Sequence, residues 1–277
     1  MERVVRKNIP IPFPIIGIPI RNLFSPYVTI PSTINCDLHI KISEKAKTLA
    51  SLINSFQIEK ADLASNEAVF SYVNKFLNEL NYRMAVDGNF SIECTDDPPS
   101  MAVFAVVTTE ILKAMLKPSY SDYTIMLDTL ALFDERSLGL DPGYCKALRC
   151  SYLYNNVCIA RGYDELIRLG IRKLAVKKLS EITCPSLCKV IDNPYDANTL
   201  SFFYKFSTHI IGLLAQAIKE WSNEKFSLLR KFLDLYMILE SSLVKEFVNS
   251  ENLPLGFGVK PIVDYKSIKL YKINAII

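Results

Sequence analysis

The chain has 277 residues, half of them apolar and 22% charged, with a formal net charge of +3. That length can bury a sizeable core, and the composition is that of an ordinary globular protein. So slight a positive excess gives no electrostatic footprint for nucleic acid or an anionic membrane, and no apolar run reaches the length that spans a bilayer.

The start, MERVVRKNIPIPFPIIGIPI, sets basic residues before an apolar stretch as a signal peptide does, but Pro10, Pro12, Pro14 and Pro19 deny it a helical core. From Val28 to Ile42 the even positions read Val28, Ile30, Ser32, Ile34, Cys36, Leu38, Ile40 and Ile42. That period of two predicts a long half-buried strand. Helical periodicity follows in EKAKTLASLINSF and in NEAVFSYVNKFLNEL, where Val69, Phe70, Val73, Phe76, Leu77 and Leu80 share a face. Next come a short strand, NFSIEC, a helix from Ser100 to Leu112, and another across YTIMLDTLALFDERSL. CSYLYNNVCIARG reads as a strand with a turn near Asn155 and Asn156. Amphipathic runs at 198–222 and 224–249 predict two long helices, and SIKLYKINAII a closing strand. Strands and helices mix without a βαβ repeat. The expected class is α+β in two lobes, a strand-rich one at 1–165 and a mostly helical one at 166–277 that takes back one strand.

Metal and nucleophile chemistry are thinly supplied. The two histidines, His39 and His209, fall in no ligand spacing, and neither GxSxG nor GK[ST] occurs. Seven cysteines, an odd number without paired spacing, predict reduced thiols in a cytoplasm, and Cys184 and Cys188 in TCPSLCK read as buried thiols. No metal and no cofactor is expected.

The stretch TDDPPSMAVFAVVTTEIL bears most on function. A helix N-terminus carries partial positive charge and free N–H groups, a natural place for phosphate, and such cradles usually have glycines in front. Here Asp96, Asp97, Pro98 and Pro99 stand there instead. Proline removes a donor, and two aspartates repel a triphosphate.

Five short pieces, in order, resemble the diphosphomevalonate decarboxylase family of the galactokinase–homoserine kinase–mevalonate kinase superfamily. Asn8-Ile9 match the start of NIAxIKYWGK; YVTIPSTINCDLHI fits LPxNSSISxTLDL; and IECTDDPPSMAVFAVV aligns with FPTAAGLASSAAGFAAL through Ser100, Ala102, Phe104 and Ala105. GYCKALRCSYLYNN keeps Gly143, Ala147 and Arg149 of RxGSGSACRSLYGGF, and PLGFGVKPIV keeps Phe257 and Pro261 of YTFDAGPN. The departures strike one half of that family's chemistry. Its glycine loop is TDDPP here, its acid aligns with Gly258, and the lysine of IKYWGK aligns with Phe13. All three losses concern phosphoryl transfer from ATP.

What the resemblance keeps concerns elimination. It implies that Arg149 holds a substrate carboxylate, since a guanidinium fork meets a carboxylate in two charge-assisted bonds. It implies that Asn8 steadies that arginine, that Ser100 and Lys146 contact substrate, and that Lys260 meets a departing phosphate. The implied activity is that of the family's archaeal, ATP-independent type, in which mevalonate 3,5-bisphosphate loses phosphate and carbon dioxide to give isopentenyl phosphate. The partner is then a small molecule, neither nucleic acid nor membrane, and a homodimer is compatible with it. Two alternatives are an ATP-dependent mevalonate-type kinase or decarboxylase with an unusual loop, and an inactive regulatory relative.

Overall fold

A computed structural model describes residues 2–18, 26–46, 62–163, 165–183, 197–220, 223–247, 256–264 and 267–276. The strands are β1 (Glu2–Ile16), β2 (Tyr27–Ala46), β3 (Met84–Cys94), β4 (Val157–Arg161), β5 (Glu165–Gly170), β6 (Leu174–Thr183), β7 (Val259–Val263) and β8 (Ser267–Ile276). The helices are α1 (Asn66–Glu79), α2 (Ser100–Leu116), α3 (Tyr123–Leu138), α4 (Pro142–Tyr154), α5 (Ala197–Glu220) and α6 (Asn223–Phe247). One sheet runs β5-β4-β2-β6-β8-β7, and β2 also pairs antiparallel with β1 and β3. The class is α+β.

The period of two in β2 has its expected cause. Ile30, Ile34, Cys36, Leu38, Ile40 and Ile42 are buried, while Asp37 and Lys41 between them face solvent. The proline-rich start, for which the sequence predicts no element, is β1. Proline cannot donate to a ladder and is tolerated at a sheet edge. Pro10, Pro12 and Pro14 alternate, so their missing N–H groups lie along one side of the strand. Pro12 stands opposite Pro31, a place in the ladder where neither residue donates. Helix α2 has no polar face over most of its length: Ala102 through Leu112 are all buried, and it packs against β1, α1 and α4. It is the central helix.

Three expectations are corrected. CSYLYNN is not strand but the end of α4. Asn155 stops that helix in a left-handed conformation at φ 50°, and β4 starts only at Val157. The second half is less helical than its periodicity suggests, because β5 and β6 join the sheet there. The thiols are not all reduced: Cys36 bonds Cys94 between β2 and β3, and Cys150 bonds Cys158 between α4 and β4. Cys36 and Cys94 are 58 residues apart, yet the register makes them cross-strand neighbours with Cα atoms 4.0 Å apart. Cys145 remains a buried thiol, and burial pushes its pKa up. Cys184 and Cys188, and most of EKAKTLASLINSF, lie outside the described residues. No described helix is long and apolar enough to cross a membrane.

One buried carboxylate ties α2 to the sheet. Glu110 pairs with Lys7 of β1 at 2.5 Å and with Lys113 at 2.9 Å. Burial alone would raise its pKa, but Lys7, Tyr152 and Lys113 outweigh burial and hold it below the usual range. A depressed folded-state pKa contributes stability above the unfolded value and loses it as pH falls through the folded one. Glu110→Gln is therefore expected to cost about 1–3 kcal/mol at pH 7 and progressively less below about pH 4. Urea unfolding at pH 7 and pH 3 measures this, and an equal loss at both would refute it.

Candidate functional site at the mouth of helix α2

Helix α2 begins at Ser100 behind Pro99, whose side chain makes no cap hydrogen bond. The first N–H groups of a helix need partners from elsewhere. The partner here is Asp264, directly after β7. The Ser100 amide donates to Asp264 Oδ1 at 3.1 Å and Oδ2 at 3.3 Å, and the Ser100 hydroxyl donates to Oδ2 at 3.0 Å. Lys269 stands 3.2 Å from the same carboxylate. Burial lifts the Asp264 carboxyl above the usual range, although Lys269 and Ser100 act the other way.

The residues before the helix are fixed from both sides. Thr95 N donates to the Asn35 carbonyl at 2.9 Å. Asp96 Oδ2 accepts from Lys178 N at 2.8 Å, and Asp97 pairs with Lys178 and, at 3.1 Å, with Lys269. Lys269 also donates to the Pro98 carbonyl, and the Tyr271 hydroxyl to that of Asp97. Beside this lies a cavity of about 440 Å³ lined by Asp96, Asp97, Ser100 and Lys269 over an apolar floor of Ile92 and Val103. Three carboxylates and two ammonium groups meet at the mouth, and the first N–H of the helix is already given to one of the acids. No binding of Mg-ATP is expected in titration calorimetry, and a micromolar dissociation constant would overturn this.

The position aligned with the family's acid, Gly258, carries no carboxylate, but another acid reaches the helix mouth. Gly258 precedes β7 in a left-handed conformation at φ 68°, and the carboxylate at the helix mouth comes six residues later. Asp264 follows one proline and two apolar residues in PIVD, and so stands at the end of β7, which pairs antiparallel with β8. That strand-end position is the sequence signal for it.

The other expected site residues are not gathered at this mouth. Arg149 is fully buried on α4. Its fork meets Asp134 of α3, and Nη2 also donates to the Tyr72 hydroxyl at 3.1 Å. Burial opposes its charge, but Asp134 more than offsets this and holds the guanidinium protonated. The two-point contact expected for a substrate is thus made to the protein's own carboxylate. Asn8, on β1, donates to Asp37 at 2.7 Å and not to Arg149. Lys146 is buried on α4, bonded to the Tyr163 carbonyl and, at 2.7 Å, to Asp128. Lys260, 1% exposed, pairs with Glu240 of α6 above the Tyr236 ring. Burial raises the Glu240 pKa and lowers that of Lys260. Ser100 alone of the five lies at the helix mouth. No group of three or more candidate metal ligands occurs among the described residues.

No family model matches the chain, and no curated protein matches it in sequence. Solved structures do. Mevalonate kinase from L. major in complex with R-mevalonate aligns with TM-score 0.51 and 10% identity, over 99% of this chain and 88% of that one. A Listeria innocua protein aligns with TM-score 0.52 and 10% identity, over 98% and 91%. Mevalonate diphosphate decarboxylase from Staphylococcus aureus aligns with TM-score 0.50 and 7% identity, over 99% and 89%. The chain therefore has the fold seen in mevalonate kinase and mevalonate diphosphate decarboxylase.

Proposed function

We propose that this protein works without nucleotide, as a lyase that eliminates phosphate and carbon dioxide from mevalonate 3,5-bisphosphate to give isopentenyl phosphate. The observation that supports it is Asp264 seated on Ser100: the place a nucleotide phosphate would take is held by an acid, while a hydroxyl and Lys269 stay on the wall of a cavity. An elimination whose leaving group is already in place needs no phosphoryl donor. It needs cations and N–H groups where negative charge develops on the departing phosphate. Lys269 and Lys178 supply the cations by exchanging Asp97 for substrate. In this reading Arg149 reaches the carboxylate only by giving up Asp134, and Lys260 reaches a phosphate only by giving up Glu240. The mevalonate named for the structural neighbours supplies the substrate class.

One observation favours a second reading, a catalytically inactive relative that binds or regulates. Arg149, Lys260 and Lys146 each already have a carboxylate partner inside the protein. One incubation separates the two. The bisphosphate, labelled at its carboxylate, is mixed with purified protein, and labelled carbon dioxide and free phosphate are followed. Release without ATP is the expected result. No release with or without ATP, from protein shown to be folded, selects the inactive relative. Release only from singly phosphorylated mevalonate with ATP added rejects both in favour of an ordinary ATP-dependent decarboxylase.

A further inference from the structure

We infer that the cavity between α6 and the C-terminal end of β8 binds a free α-amino acid with an apolar side chain. The cavity measures about 400 Å³, within the range of small-ligand sites. Its floor is Leu229, Leu233 and Met237 of α6 and Ile273 of β8, all buried. Arg230 and Asp234 also line it.

The two charges are one turn apart on α6, the spacing at which opposite charges usually pair. These do not. Arg230 is drawn across to β8, where Nη1 donates to the Asn274 carbonyl at 2.5 Å, and the rest of its fork is left for another acceptor. Among the described residues Asp234 has no hydrogen-bonded or ion-paired partner. Gly258 lies beside it: a Cβ there would stand 3.5 Å from Asp234 Oδ1 and 3.4 Å from Lys272 Nζ. Lys272 itself donates to the Phe257 carbonyl at 2.7 Å. A cation and an anion with no ion-pair partner among the described residues thus line one cavity over an apolar floor. The complement of that arrangement is a carboxylate and an ammonium on one carbon with an apolar tail. The tail displaces water from Leu233, Met237 and Ile273, the carboxylate meets Arg230, and the ammonium meets Asp234.

Titration calorimetry of the full chain with L-leucine tests this. Saturable binding is expected, at least tenfold weaker for 4-methylpentanoate, which lacks the ammonium, and for isopentylamine, which lacks the carboxylate. Arg230→Gln and Asp234→Asn should each weaken leucine at least tenfold. Ala275→Trp, which fills the cavity from an exposed position on β8, should abolish binding with circular dichroism unchanged. No saturable leucine binding would overturn the inference. So would equal affinity for 4-methylpentanoate, or leucine binding that survives Ala275→Trp in folded protein.

Discussion

Arg149→Ala is expected to destabilise the protein by about 3–5 kcal/mol, because it leaves the buried Asp134 carboxyl without its cation. From the sequence resemblance, Arg149→Ala should abolish activity while the fold survives. The structure adds a cost to the fold, since the same change strips a buried carboxylate of its cation. Tyr72 is the only other described partner of the Asp134 carboxylate, through a 2.6 Å hydrogen bond, and a neutral hydroxyl cannot replace a guanidinium. Arg149→Lys keeps the charge but loses the fork, so it should fall between wild type and alanine. Removing both charges, Arg149→Met with Asp134→Leu, should recover most of the loss, since an apolar pair of similar volume is often neutral or better. Denaturant midpoints for the four proteins decide the matter. A folded Arg149→Ala with an unchanged midpoint would show that this pair does not hold the helices.

Reduction of the disulfides should produce the other large effect. Closing a loop of 58 residues removes denatured-state entropy worth about 4 kcal/mol, and the 8-residue Cys150–Cys158 loop is worth about 2.5 kcal/mol. Cys36–Cys94 also lies just before Thr95, so it fixes one end of the segment that closes the helix mouth. A Cys36→Ala, Cys94→Val protein should melt about 10 °C lower than wild type under non-reducing conditions, given the size of the domain. Under a phosphine reductant the difference between the two should nearly vanish. Identical melting temperatures before reduction would mean that the cross-strand ladder alone holds these strands and that the bond adds nothing.

Several features were legible in the residues. The period of two in β2 survives because every second side chain must reach one core, and that demand is local. The helix at Ser100 was legible because its run of apolar residues admits no solvent face. The lack of a glycine loop before that helix was legible because proline and aspartate there act through their own backbone and charge, whatever lies opposite. Other features were invisible for a common reason. The partner of Arg149 is 15 residues away, that of Lys260 is 20, and that of Ser100 is 164. A guanidinium that clamps a substrate and one that clamps Asp134 look the same in sequence, because both need a fork and an anion. The proline-rich β1 was missed because edge strands obey a different rule from central ones, and only the sheet decides which is which. By itself, then, the sequence determined the class of fold and the lack of a glycine loop before α2, both set by local periodicity and backbone chemistry. The tertiary structure alone decided which carboxylate sits on that mouth, which cations are internally paired and which cysteines bond, because each depends on residues that only the register of β2, β7 and β8 and the packing of α3, α4 and α6 bring together.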